Sequence, residues 1–177
     1  MNVTASAYIA AITPKTRLLL INSPCNPTGA AYTRAEWRAL ADVLLQHPRV
    51  IVGTDDMYEK IWWGPEPFSS LLTVAPELYD RVVTINGVSK SYAMTGWRCG
   101  WALGPAEVVA ACNALQSHST SNVSSISQKA ALAAAQEERF TRRRHDAAFP
   151  AQAIRFCLER AGVSADAIDY VKAHSKA

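Results

Sequence analysis

The fold class predicted by this 177-residue sequence is α/β: a mostly parallel sheet with flanking helices, followed by a helical C-terminal segment. Three observations carry that expectation. Apolar runs of strand length recur at residues 17–22, 50–55, 81–86 and 99–104. Helical patterns lie between and after them, at residues 34–47, 105–117 and 121–162. Polar residues cluster just after the first three runs, and in an open α/β sheet ligands bind at the carboxyl ends of the strands.

The first run, RLLLIN, is continuously apolar and is closed by the turn-rich SPCNPTG, which suits a strand buried on both faces. Thr33 then caps a helix, with Glu36 three residues on to complete a capping box. Trp37, Leu40, Ala41, Leu44 and Leu45 follow at helical spacing until Pro48. VIVGTD and RVVTIN read as two further buried strands and CGWALG as a fourth. Pro105 opens the helix PAEVVAACNALQS. From residue 121 the chain is alanine-rich and helical in pattern, with EERFTRRRHD in the middle and a break at Pro150. The organisation is thus two-part: residues 1–130 form the α/β unit and residues 131–177 a helical tail.

Composition narrows the function classes. With 49% hydrophobic and 19% charged residues, the chain can bury a core, and a net charge of +3 gives no case for a nucleic-acid or membrane partner. No apolar run approaches the roughly eighteen residues of a spanning helix. The four cysteines, Cys25, Cys99, Cys112 and Cys157, form no CxxC pair, and the four histidines show no ligand spacing with them. They read as reduced thiols in a cytoplasmic protein without a metal site.

The chemistry gathers around GVSKSYAMTGWRCGW, residues 87–101. A lysine forms an imine with an aldehyde when it is partly desolvated or near another cation. For Lys90 alone, the plain reading is a surface lysine in a turn after a strand. Arg98, eight residues on, offers a planar fork suited to a phosphate, with the hydroxyls of Ser89 and Ser91 near it. Gly96 and Gly100 let backbone pass close to a ligand. Asp55, at the end of its strand, suits the protonated nitrogen of a heterocycle. Tyr58 and Asn26 suit an oxygen on the same ring. An aldehyde, a phosphate, a ring nitrogen and a ring hydroxyl together describe pyridoxal 5'-phosphate. The adjacent Asp56 reads as structural or solvated, and Trp62, Trp63, Trp97 and Trp101 as packing residues.

NSPCNPTGAAY, DDMYEK and NGVSKSYAMTGWRCGWALGP, collinear within residues 8–130, resemble the class I/II aminotransferases of fold type I, most closely those of aspartate aminotransferase type. The resemblance implies part of a fold type I large domain. It makes Lys90 the catalytic lysine that joins the cofactor aldehyde and shuttles the proton. It gives Asp55 the pyridinium nitrogen, Asn26 and Tyr58 the ring oxygen, and Arg98 the phosphate. It further implies an amino acid and a 2-oxo acid as substrates, a homodimer, and a cis Asn26-Pro27 bond. The family's glycine-rich phosphate turn, ring-stacking aromatic and substrate-carboxylate arginine have no counterpart in these motifs. Little transamination is therefore expected, and a non-catalytic fusion remnant or interaction module is the alternative.

A second resemblance covers residues 133–171. EERFTRRRHDAAFP and the sequence after it resemble the amino-terminal region of nodulation-type O-carbamoyltransferases. The same charge run also reads as a solvated helix face, with Glu138 and Arg142 in i,i+4 register. The fusion reading expects Ala153, Phe156, Cys157 and Val163 to form an apolar face with no matching partner.

Overall fold

The four apolar runs become the four strands of one sheet in a computed structural model that describes residues 3–141. The order along the chain is α1 (Ala5–Ala11), β1 (Leu18–Asn22), α2 (Arg34–Leu45), β2 (Ile51–Asp55), α3 (Leu71–Val74), a 3₁₀ segment (Pro76–Arg81) and β3 (Val82–Gly87). A 3₁₀ turn (Thr95–Trp97), β4 (Gly100–Leu103), α4 (Ala106–Ser117) and α5 (Ser125–Thr141) follow. The sheet runs β1-β2-β3-β4, with the first three strands parallel and β4 antiparallel to β3.

One sheet face makes the core. Alternation along the strands sends Ile21, Val52 and Val82 to it, and α2 lays Trp37, Leu40, Ala41 and Leu44 against them. The capping box of α2 forms as expected: the Glu36 amide donates to Thr33 Oγ1 at 3.2 Å, and the Thr33 amide donates to Glu36 Oε2 at 2.8 Å. At the other end, the Arg81 guanidinium donates to the carbonyls of Leu44, His47 and Val50 at 2.6, 2.9 and 3.1 Å. It thereby satisfies acceptors that the helix end leaves open, with a cation at the negative pole of the helix. The fully buried Trp37 donates its indole N–H to the Ser69 carbonyl at 2.7 Å and stacks at a tilt on Tyr32.

Several expectations need correction. The first strand is not buried on both faces: Leu18 and Leu20 are 56% and 68% exposed, as is Ile85 at 41%. These residues lie on the sheet face opposite α2, which is open among the described residues. A continuous apolar run reports suitability for burial, not the arrival of a covering element. Leu45 is also exposed, and Val43 replaces it in the interior. Trp63 is 87% exposed and packs on nothing that would bury it. The short helices α1 and α3 carry no long periodic pattern that would mark them in the sequence.

Helix α4 buries none of its residues. Helix α5 runs without interruption through residue 130, and its Ala130, Ala131, Ala133 and Ala134 pack with Val88, Tyr92, Met94 and Cys99. His145, Asp146, Ala153, Phe156, Cys157 and Val163 lie outside the described residues.

The two adjacent leucines of α2 separate burial from helix propensity. Leu44→Ala is expected to lower unfolding free energy by about 2–5 kcal/mol, since it opens a cavity under the sheet. Leu45→Ala should stay within about 0.5 kcal/mol of the parent. Urea denaturation of the two variants measures both.

Candidate active site

The site is built at the carboxyl ends of β1 and β2. Parallel pairing brings Asn22 opposite Asp55. The Asp55 carbonyl accepts from the Ser23 amide at 3.1 Å and from Asn22 Nδ2 at 3.0 Å. The other end of the same side-chain amide, Asn22 Oδ1, accepts from the backbone N–H of Asn26 at 2.9 Å. One side chain therefore ties both strand ends to the turn that carries Asn26. Sequence reading did not single out Asn22; its signal was a lone polar residue ending an apolar run immediately before SPCNPTG.

The turn itself is closed by Cys25 N–H donating to Ala30 at 2.8 Å and Gly29 N–H donating to Cys25 at 2.7 Å. Gly29 sits at φ +69°, a left-handed conformation that costs glycine nothing. Asn26-Pro27 is cis, as the motif implied, and Ser23-Pro24 is cis as well.

Asn26 Nδ2 donates to the Tyr58 hydroxyl oxygen at 3.0 Å. The tyrosine O–H then remains able to donate elsewhere. Tyr58 stands in the turn after β2, and Lys90 Nζ lies 5.8 Å from the centre of its ring, within cation–π range. Lys90 is held by a loop whose Tyr92 and Met94 amides both donate to the buried Val88 carbonyl at 3.2 Å. Ser91 Oγ donates to the Met57 carbonyl at 3.2 Å, which fastens this loop to the segment after Asp55. Ser91 thus serves the scaffold instead of standing free beside Arg98.

Asn26, Tyr58 and Lys90 therefore come together. Asp55 joins them through the backbone, while its carboxylate Oδ1 accepts from the Met57 amide at 3.2 Å. Arg98 is not drawn into the cluster. It is exposed, left-handed at φ 48°, and donates to the Thr95 carbonyl at 2.9 Å. Its tie to Lys90 is the loop itself, closed by Val88 N–H donating to Cys99 at 3.2 Å. Lys90 is exposed.

The glycines divide by cause. A Cβ at Gly87 would come within 2.9 Å of the Cys99 carbonyl, and one at Gly100 within 3.1 Å of the Asn86 carbonyl. Both positions are small because β3 and β4 approach closely. The space around Gly96 is open. Asp56, next to Asp55, points to the packed sheet face and is only 2% exposed, so the solvated reading of that residue fails.

The family model described as aminotransferase class I and II matches residues 1–163. An aspartate/prephenate aminotransferase of Cereibacter sphaeroides is 55% identical over 125 residues, covering 71% of this chain and 31% of that protein. The crystal structure of an aspartate aminotransferase from Rhizobium meliloti superposes with a TM-score of 0.70 at 44% identity, over 86% of this chain and 36% of that one. An aromatic aminotransferase from Pyrococcus horikoshii gives 0.73 at 33% identity, over 78% and 36%. The chain spans about a third of the length of these relatives.

Two variants at Asn22 test its bridging role. Asn22→Ala removes the acceptor for the Asn26 amide, whose hydrogen exchange should then speed by tenfold or more, on the order of one lost hydrogen bond. Asn22→Asp keeps that acceptor and should leave the Asn26 amide protected. Amide exchange followed by NMR distinguishes them.

Proposed function

We propose, on the premise that the chain belongs to the class I and II aminotransferase family, that it carries the cofactor-holding part of an aspartate-type aminotransferase site. The observation that carries this reading is the meeting of Asn26, Tyr58 and Lys90 at the carboxyl ends of parallel strands. Fold type I pyridoxal 5'-phosphate chemistry is supported by the donor set. A hydroxyl already held by an amide suits a ring oxygen. A lysine beside it suits the neighbouring aldehyde.

In this reading Tyr58 and Asn26 would hold the ring oxygen from two donors, and Asp55 would accept the N–H of the pyridinium ring. Arg98 would bind the phosphate through its guanidinium fork. Lys90 would hold the aldehyde carbon until a substrate amine takes its place, and its freed amine would then accept and return the substrate α-proton. The cofactor supplies an electron sink for that carbon. The substrate class is an amino acid paired with a 2-oxo acid, of aspartate, prephenate or aromatic type, and the assembly a cytoplasmic homodimer. No helix among the described residues is long and apolar enough to cross a membrane.

Residues 133–171 are proposed to derive from the amino-terminal region of an O-carbamoyltransferase on their sequence motif alone, since the aminotransferase family model also extends to residue 163. A second reading, a chain that holds cofactor without turning it over, is favoured by the exposure of Lys90 and the separation of Arg98 from the cluster.

Incubation with pyridoxal 5'-phosphate, borohydride reduction and peptide mapping tests the site. The label is expected on Lys90 and is expected to vanish in Lys90→Ala; equal labelling of Lys15, Lys60 and Lys129 would sink the assignment. Tyr58→Phe should weaken cofactor binding about three- to tenfold, the worth of one hydrogen bond. Turnover of aspartate with 2-oxoglutarate by this chain should stay well under the common enzyme range of about 1 to 10³ per second.

A further inference from the structure

We propose that a cavity at the amino-terminal end of the parallel strands, between the α1–β1 turn and the α2–β2 turn, binds a phosphate group through the guanidinium forks of Arg17 and Arg49. The cavity encloses about 390 Å³, and Arg17, His47 and Arg49 line it together with Thr13 and Thr16. No acidic side chain is part of its wall. Arg17 stands immediately before β1 and Arg49 two residues before β2, whereas the Lys90 cluster is built at the carboxyl ends of the same strands. The five residues of β1, at about 3.3 Å each, put about 16 Å between the two sites.

The donors are within reach of a solute and are not used up inside the protein. Arg17 and Arg49 are exposed, and His47 is half-buried. Arg17 commits one nitrogen, Nη1, to the carbonyls of Pro14 and Thr16 at 2.7 and 3.1 Å, which leaves its Nε and Nη2 to donate elsewhere. The Arg49 guanidinium and the His47 imidazole hold no hydrogen bond among the described residues. Neither arginine is in an ion pair there.

The frame beneath these donors is fixed before any ligand arrives. The Thr13 amide donates to Thr16 Oγ1 at 3.0 Å, the Thr16 amide donates to the Thr13 carbonyl at 2.9 Å, and the Arg17 carbonyl accepts from the Ile51 amide at 2.8 Å. With Nη1 held as well, little order remains to be imposed on Arg17 when an anion binds. The end of α2 would by itself oppose an anion, because its last carbonyls form the negative pole of the helix. Arg81 removes that obstacle by donating to the carbonyls of Leu44, His47 and Val50 at 2.6, 2.9 and 3.1 Å. It has no acidic partner among the described residues, so a third guanidinium under the α2–β2 turn adds to the positive field.

The donor set selects a phosphate over a carboxylate. Two planar forks from separate turns, with an imidazole N–H between them, can share the oxygens of a tetrahedral anion, whereas a carboxylate has two oxygens and is satisfied by one fork. The phosphate also carries the larger charge. Ile12, Pro14 and Pro48 supply apolar wall beside the cations, and a bare phosphate would leave most of the 390 Å³ to water. A small organic phosphate monoester therefore fits better than the free ion.

The test is an NMR titration of the full 177-residue chain, reading the His47 imidazole, with inorganic phosphate, glycerol 3-phosphate and phenyl phosphate against sodium chloride and succinate at equal ionic strength. A saturable shift is expected with the phosphates, at affinities about fivefold or more above that of succinate. Arg49→Gln should weaken binding about tenfold, on the order of one charge-assisted hydrogen bond. Arg49→Lys, which keeps the charge and loses the fork, should weaken it about threefold. Lys90→Ala should leave the His47 response unchanged, because the cofactor cluster lies at the other end of the strands, so the two sites succeed or fail separately. Tighter binding of the esters identifies a phosphorylated small molecule as the occupant; equal or tighter binding of inorganic phosphate identifies the free ion. The proposal is overturned by a response no different from sodium chloride, by succinate binding as tightly as the phosphates, by equal affinity in Arg49→Gln, or by loss of the response in Lys90→Ala.

Discussion

Parallel pairing of β1 with β2 stops with Asn22 opposite Asp55, and the candidate site is assembled from that end. Burial of Ile21 and Val52 against α2 sets the register, because a slip of one residue would turn those side chains to the open face. Once the register is set, Asn22 reaches both the Asp55 carbonyl and the Asn26 amide. Asn26 then reaches Tyr58, and the Lys90 loop is drawn in by Ser91 and by the core contacts of Val88. Core packing and site geometry are thus the same constraint seen from two sides of the strand ends.

The consecutive residues Asp55 and Asp56 show what the sheet does to chemistry. Asp55 lies on the open face, where its carboxylate accepts from the Met57 amide. Asp56 lies under α3 with an unpartnered oxygen, and desolvation raises its proton affinity. The two groups have the same covalent structure and are neighbours in the chain. Their difference is a half-turn of pleat, which exchanges solvent for a low-dielectric interior.

The sheet is unequally covered. Its α2 face buries Ile21, Val52 and Val82, whereas Leu18, Leu20 and Ile85 face outward and α4 buries nothing. Around the Lys90 loop a smaller apolar cluster with the alanines of α5 supplies the support. Small side chains let α5 approach this loop closely, so backbone hydrogen bonds at Val88 stay dry without a large core beneath them.

By itself the sequence determined the strand runs, the capped helix at Thr33 and the fold class, because local periodicity and turn chemistry leave their mark within a few residues. The role of Asn22 was not legible, since its two partners lie four and thirty-three residues away and meet only when the strands pair. Tertiary structure alone decided that Leu18 and Leu20 stay exposed while Asp56 is buried. It also decided that Gly100 serves strand pairing and that Arg98 turns its fork to Thr95. Exposure depends on which element arrives over a face, and no pattern within a single strand records that arrival.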